Sequence, residues 1–260
     1  MKVCILIPSY NTGPLLKQTV GDALSVYDDI VVVVDGSTDG SADDLDSLII
    51  GQPSKNLHTI ILEENSGKGS AVLAGVNEAL RRGFTHAVTM DADGQHPVSH
   101  IAQFVELGNR YPEAMILGDP IYDASAPTFR VNGHKFSNWW ANLFTLWWGI
   151  GDSLFGMRLY PLTPLKSVFE STRWARRFDF DPEVAVRLCW KRVPALNLPT
   201  PVKYLTEAEG GVSHFQYWRD NVLLTWMYFR ILLEFIVRLP VLLIRSLTAG
   251  NPLKQKNLAE

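Results

Sequence analysis

Cysteine is scarce in this chain: Cys4 and Cys189 stand far apart, in no spacing that suits a metal cluster or a redox pair. Such usage excludes a disulfide scaffold and fits a reducing compartment. A strong charge of one sign is also lacking, because 24 Lys and Arg against 27 Asp and Glu leave a net charge of −3. The basic residues follow no pattern of a nucleic-acid module, so no nucleic-acid partner is expected. Internal repeats, low-complexity tracts and an obvious linker are missing as well. The opening run Val3-Cys4-Ile5-Leu6-Ile7 meets Pro8 and is too short and wrongly flanked for a signal peptide, so it reads as a first strand. What the chain does have is bulk: 260 residues, 47% of them hydrophobic, suffice for a large buried core.

The small net charge hides a division. Residues 1–127 carry 7 Lys and Arg against 17 Asp and Glu, whereas residues 128–260 carry 17 against 10. An acidic half that gathers a cation and a basic half that meets an anion would fit one site built from both; solvated surface charge is the plain alternative.

Through the first half, short β-branched runs alternate with helical patterns. Strands are expected at Val3 to Ile7, Ile30 to Val34, Thr59 to Leu62, Ala87 to Met90 and Ala114 to Leu117. Helices are expected near Pro14 to Leu24, Ala42 to Ile50, Gly69 to Arg82 and Val98 to Tyr111. Such alternation argues an α/β fold, a doubly wound and mostly parallel sheet with helices on both faces. In that architecture ligands bind beyond the carboxyl ends of the strands. Those ends are polar here: Pro8 to Asn11, Asp35 to Gly40, Glu63 to Gly69, and Asp91-Ala92-Asp93. Later segments read as Trp-rich helices, a strand-like Leu154 to Tyr160, a helix near Pro182 to Trp190 and a long apolar helix over Val222 to Arg245.

The most chemical of the strand ends is Asp91-Ala92-Asp93-Gly94-Gln95. Residues i and i+2 of a strand share a side, so both carboxylates can face one point. Two carboxylates beside the carbonyl of Gln95 suit Mg²⁺ or Mn²⁺, ions that complete their shell with the oxygens of a substrate phosphate. Asp35, at the end of four valines, is read either as a nucleotide contact or as a helix cap. Around Lys68 a phosphate-binding P-loop is ruled out, since Leu62 and Gly69 replace the required Gly and Ser or Thr. His96 and His100 have the spacing of a zinc pair but lack the intervening Glu, and they read as surface or capping residues.

The ordered set Ile7-Pro8-Ser9-Tyr10-Asn11, Val34-Asp35-Gly36-Ser37-Thr38-Asp39-Gly40-Ser41, Asn65-Ser66-Gly67-Lys68-Gly69 and Asp91 to Pro97 resembles the family 2 glycosyltransferases of GT-A fold. Within them it is most similar to the polyprenyl-phosphate glycosyltransferases of the dolichol-phosphate mannose synthase branch. The likeness covers most of residues 2–218 and extends to Asp152 to Tyr160 and Glu209 to Phe215. It implies an inverting enzyme that moves a hexose from a UDP- or GDP-linked sugar to a polyprenyl phosphate or related lipid carrier. Pro8, Tyr10, Asn11 and Asp35 would then hold the nucleotide, Asp91 and Ala92 would lie near the ribose or the metal's water, and Lys68 would reach a phosphate. Asp93 and Gln95, with Asp91, would bind the metal, which neutralises charge on the leaving diphosphate. An acceptor phosphate is already anionic and can attack without a strong base.

The same resemblance assigns acceptor phosphate to Arg130, His134, Lys135, Arg158 and His214. Two positions differ: Gly118-Asp119 stands where similar synthases often have Gly-Ser-Arg, and His134 stands where an Arg is common. A hydroxyl acceptor on a glycolipid or saccharide is therefore the alternative, with Asp181 or Glu183 as base, although Asp181 before Pro182 is also a good helix cap. A remoter alternative is a non-catalytic nucleotide-sugar-binding subunit. Trp139, Trp140, Trp147 and Trp148 are spaced to share one helical face, for core packing or a lipid interface. In the C-terminal helix, Arg230, Glu234 and Arg238 form a polar stripe that, with Pro240, argues against a membrane span and for an interfacial or partner-docking helix. The expected organisation is a catalytic domain over residues 1–218 and a helical extension over 219–260, peripheral on the inner face of the cytoplasmic membrane.

Overall fold

A computed structural model describes residues 1–122, 126, 128–202 and 217–248. Among them seven strands form one sheet in the order β3-β2-β1-β4-β6-β5-β7. The strands are β1 (Val3–Ser9), β2 (Asp29–Asp35), β3 (Asn56–Leu62), β4 (His86–Thr89), β5 (Met115–Ile121), β6 (Arg158–Pro161) and β7 (Ala195–Pro201). All neighbouring pairs run parallel except those of β6, which is antiparallel to both β4 and β5. The sheet is thus mixed, and β6 brings its amino end to the edge where the carboxyl ends of β1 to β5 emerge.

The central strands are buried on both faces, which is why they read as unbroken apolar runs. Their alternate side chains feed two cores. Leu6, Val31, Val33 and Ala87 point to one face, covered by α2 (Lys68–Arg81), α4 (Thr128–Phe144), α5 (Leu162–Ser171), α6 (Phe180–Trp190) and α7 (Tyr217–Thr248). Ile5, Ile7, Val32 and Val88 point to the other, covered by α1 (Pro14–Val26) and α3 (Ile101–Arg110).

Several expectations are corrected. The helix expected over Ala42 to Ile50 shrinks to a single 3₁₀ turn at Leu45–Ile49, entered through Asp44 in a left-handed conformation. The strand-like stretch from Leu154 becomes a strand only at Arg158, because Asp152 folds the preceding segment by accepting hydrogen bonds from the amides of Leu154 (2.9 Å) and Phe155 (2.7 Å). The four tryptophans do not share a helical face. Helix α4 ends at Phe144, and left-handed Leu146 (φ 50°) and Trp147 (φ 56°) turn the chain, so Trp148 is buried under Arg245 while Trp139 and Trp147 stay exposed.

No helix among the described residues is long and apolar enough to cross a membrane. The polar stripe of α7 is only partly turned inward: Arg230 and Glu234 pair with Glu183 and Arg187 of α6, while Arg238 is exposed. Its outward side is apolar instead, with Trp218 81%, Val237 80% and Leu247 86% exposed.

Candidate active site

Four loops at the carboxyl edge of the sheet are tied together by backbone and side-chain hydrogen bonds. Asn11 links the first two: its amide donates to Ser37 Oγ (2.9 Å) and its Oδ1 accepts from the Thr38 amide (2.8 Å). Asp35 links the second and third. Its two oxygens accept from the amides of Ser66 (2.9 Å) and Gly67 (2.7 Å), and the residue is only 2% exposed. Neither a helix cap nor an open nucleotide contact describes this carboxylate; it is the clamp that shapes the Lys68 loop. Pro8 is likewise buried within β1, paired with Val33, while Tyr10 and Asn11 are half-buried at the strand's end.

Lys68, the first residue of α2, is the centre of the site. Its ammonium lies 2.8 Å from Asp91 Oδ1 and 2.8 Å from Asp181 Oδ2. Burial disfavours the ammonium, but the charges of Asp181 and Asp91 more than offset this and hold its pKa above the ordinary lysine range. Asp91 follows β4, with its carboxylate a third exposed at 32%. Burial opposes its charge too, yet Lys68 and His96 keep the carboxyl below the usual range.

Asp93 behaves in the opposite way. It is half-buried, one oxygen accepts from the Gln95 amide (3.1 Å), and burial together with the charge of Asp91 pushes its carboxyl up. Two carboxylates two residues apart, one already holding an ammonium and the other still raised by its neighbour, form a site that calls for more positive charge. Among the described residues no three His, Cys, Asp or Glu side chains converge into a closed cage. By their donor chemistry, Asp91, Asp93 and the half-buried Gln95 suit a hard ion that takes its other ligands from a phosphorylated substrate.

Asp181 is 4% exposed and enters from the start of α6, where Asp179 rather than Asp181 occupies the cap position. Its Oδ1 accepts no hydrogen bond and lies 3.9 Å from Arg158 Nη1. Glu183, the other candidate base, is fully buried between Arg187 and Arg230 and takes no place in the site.

The chain matches the family model described as Glycosyl transferase family 2 over residues 4–176. It belongs to that family. A polyprenol monophosphomannose synthase of Mycolicibacterium smegmatis is 28% identical over 223 residues, spanning 82% of this chain and 80% of the relative. An undecaprenyl-phosphate mannosyltransferase of Micrococcus luteus is 27% identical over 228 residues, spanning 82% of this chain and 87% of the relative. These relatives set the enzyme in the polyprenyl-phosphate branch of the family. Among solved structures, glucosyl-3-phosphoglycerate synthase from Mycobacterium tuberculosis, in complex with Mn²⁺, UDP-glucose and phosphoglyceric acid, superposes with a TM-score of 0.61. At 13% identity over 90% of this chain and 79% of that one, the likeness establishes the GT-A fold.

On the acceptor side of this glycosyltransferase, the residues named from sequence separate. Arg158 is completely buried, its guanidinium bound to Phe155 O (2.6 Å), Tyr160 Oη (3.0 Å) and Asp181 O (2.7 Å). It props up Asp181 and cannot reach a phosphate, which corrects its reading as an acceptor contact. His134 donates from Nδ1 to Asp152 Oδ2 (2.7 Å), whose carboxyl stays below the usual range despite burial. Asp119, within β5, is pushed up by burial and by Asp152, so this flank presents two carboxyls where the sequence departs from similar synthases. Arg130 is half-buried on α4; Lys135 is exposed on a different side of that helix from His134. His214 and the rest of its motif lie outside the described residues.

The enzyme also uses residues that sequence reasoning missed. His96 is buried rather than superficial: its Nδ1 accepts the Asp91 amide (2.9 Å), and its ring packs edge-on against Phe155 at 4.7 Å. Ala92, which the resemblance places near the ribose, is buried beside His96, and its carbonyl accepts from Thr19 Oγ1 (3.2 Å). Gly156 passes over the ion pair so closely that a Cβ there would lie 2.6 Å from Asp91 Oδ2 and 2.9 Å from Lys68 Nζ. The signal for His96 was its place directly after the acidic motif; nothing local marks Gly156.

Proposed function

We propose that this glycosyltransferase moves a hexose from a nucleotide sugar to the phosphate of a polyprenyl-phosphate carrier, at a membrane surface and with a divalent metal. The observation that carries the reading is the Lys68–Asp91–Asp181 cluster with Asp93 beside it, at the edge of the sheet where a doubly wound fold receives its ligand. Names of the relatives supply the acceptor class. A divalent ion held by Asp93, Asp91 and Gln95 would neutralise charge on the leaving diphosphate. Lys68 adds a second positive charge that can follow the donor phosphates. Asp181, fixed through Arg158, faces the same point from the other side of the lysine. The phosphate oxygen of the acceptor forms the new bond to the anomeric carbon as the bond to the nucleotide diphosphate breaks, with inversion. The exposed apolar side of α7, with Trp218 and Trp226, suits contact with the lipid interface that holds such a carrier.

The hydroxyl-acceptor reading draws on Asp181 Oδ1, a buried carboxylate oxygen without a hydrogen-bond donor, which could take a proton. Both readings are tested with radiolabelled UDP- and GDP-hexoses, Mn²⁺ and either undecaprenyl phosphate or undecaprenol. Label in the lipid only when phosphate is present supports the main reading; label in the alcohol moves it to the alternative. Asp93→Ala is expected to abolish metal-dependent donor binding while the melting temperature stays close to that of the wild type. Undiminished calorimetric binding by the variant would refute the role given to Asp93.

A further inference from the structure

The long helix α7 is fastened to the body by a buried set of charges. Arg230 is 10% exposed, and its guanidinium meets both oxygens of fully buried Glu183, at 3.2 Å from Nη1 and 2.8 Å from Nη2. It also lies 3.9 Å from Asp179 Oδ2 and stacks on Trp174 at 4.3 Å. Arg187 extends the cluster, holding Glu183 at 2.8 Å and gripping Glu234 of α7 through both terminal nitrogens at 2.9 and 2.6 Å.

The partners of Arg230 bracket Asp181 in sequence. Asp179 shapes the turn before it, accepting from the amides of Ala175 (3.1 Å) and Arg177 (2.9 Å). That turn is an unusual one, since Ala175 sits in the left-handed region at φ 61°, a conformation that a non-glycine residue keeps only under support from its surroundings. The turn in its own right seats the start of α2. Arg176 O accepts from the Ser70 amide (3.0 Å), and a Cβ on Gly69 would lie 2.1 Å from Ala175 O. Lys68 is therefore set by one edge of the segment 174–183, and Asp181 is presented by the other.

A fastening that served only stability would not need this cluster, because well-packed apolar residues commonly replace buried ion pairs at no loss. Directional groups are needed where a turn must be held in one geometry. We propose that Arg230 is a positioning residue for glycosyl transfer: through Trp174, Asp179 and Glu183 it holds the segment that aligns Asp181 with Lys68. The helix α7 is then part of the active-site machinery. This inference rests on the Lys68–Asp91–Asp181 site being the reactive one, and it is independent of the acceptor's identity.

The test compares Arg230→Gln, Arg230→Lys and, as a control on the same helix, exposed Arg238→Gln in the full chain. Donor turnover, counted as lipid transfer plus donor hydrolysis, is divided by the number of donor-binding sites titrated with Mn²⁺ present. Arg230→Gln is expected to lose about tenfold or more in kcat per site with the donor KM within about twofold, a split that follows from misalignment by fractions of an ångström. Arg230→Lys, which keeps the charge but neither the two-pronged hold on Glu183 nor the stacking on Trp174, recovers only part of the loss, and Arg238→Gln matches the wild type. The proposal is overturned if Arg230→Gln merely lowers the number of binding sites at unchanged kcat per site, or if Arg238→Gln is equally impaired. Failure of wild-type lipid transfer, with hydrolysis intact, would count against the acceptor reading alone and leave these ratios readable.

Discussion

Replacing Lys68 by Met removes the one ammonium shared by Asp91 and Asp181 while keeping the length of the side chain. The Asp181 side chain, 6% exposed, is left with its carboxylate no nearer to the Arg158 guanidinium than 3.9 Å, and the Asp91 side chain is 32% exposed. Breaking a buried pair costs about 3–5 kcal/mol because a charge stays behind without its partner. Solvent reaching Asp91 trims its share, so about 3 kcal/mol is expected at pH 7. In a chain of this size each kcal/mol moves Tm by about 2–4 °C, which predicts a fall of about 6–12 °C by calorimetry. The effect has a definite pH dependence. Held low by Lys68, the Asp91 carboxyl contributes stability that is complete above the ordinary carboxylate pKa of about 4 and fades as pH falls through its lower folded value. Without Lys68 the Asp91 carboxyl takes up protons more readily, so the gap between wild type and variant narrows on acidification. Mn²⁺ should raise Tm more in the variant than in the wild type, because the ion no longer competes with an internal cation. A Tm unchanged at pH 7, or a gap that does not narrow once pH falls below about 4, would refute the reasoning.

Two further substitutions test the scaffold around that pair. Asp35→Asn keeps one acceptor but turns an amide NH₂ toward the N–H of Ser66 or Gly67; the unpaired buried donor is expected to cost about 1–3 kcal/mol in urea unfolding. Gly156→Ala places a Cβ against the ends of Asp91 and Lys68, both able to shift, so turnover should fall by about 100-fold with Tm nearly unchanged. An active Gly156→Ala enzyme would mean that the ion pair need not keep its geometry.

How much of this was legible in the sequence depended on the range of the interaction. β1, β2 and β4 announce themselves as apolar runs because burial on both faces demands it, and the acidic motif after β4 needs no context to be noticed. β7 and α5 went unseen. The strand Ala195–Pro201 carries two prolines and a single β-branched residue and owes its pairing to β5, eighty residues away in sequence, and no strong cap or apolar run marks α5. The site itself was read as a collection of strand ends, and its acidic motif and Lys68 were visible there. The roles inside it were less so. Asp35 and Arg158, read as ligand contacts, turn out to hold amides and carbonyls of neighbouring loops, and a side chain's choice between ligand and backbone is made by folded distances of 2.6–2.9 Å. His96 and Gly156 matter for the same reason.

The division of charge along the chain takes on a different meaning in the fold. An acidic first half and a basic second half suggested a cation site facing an anion site. Four arginines of the second half are in fact turned inward: Arg158 under Asp181, Arg187 and Arg230 around Glu183, and Arg245 over Trp148. Their charge is matched chiefly by carboxylates and carbonyls of the same half. The strand-end loops of the first half keep Asp91 and Asp93 with one ammonium between them and Asp181. Among the described residues, the carboxylates of Asp91, Asp93 and Asp181 outnumber the Lys68 ammonium in this cluster, so entry of a donor diphosphate would be favoured by a cation that came with it. The charge balance of this cluster, as much as the two aspartates, supports the proposal that metal and donor bind together.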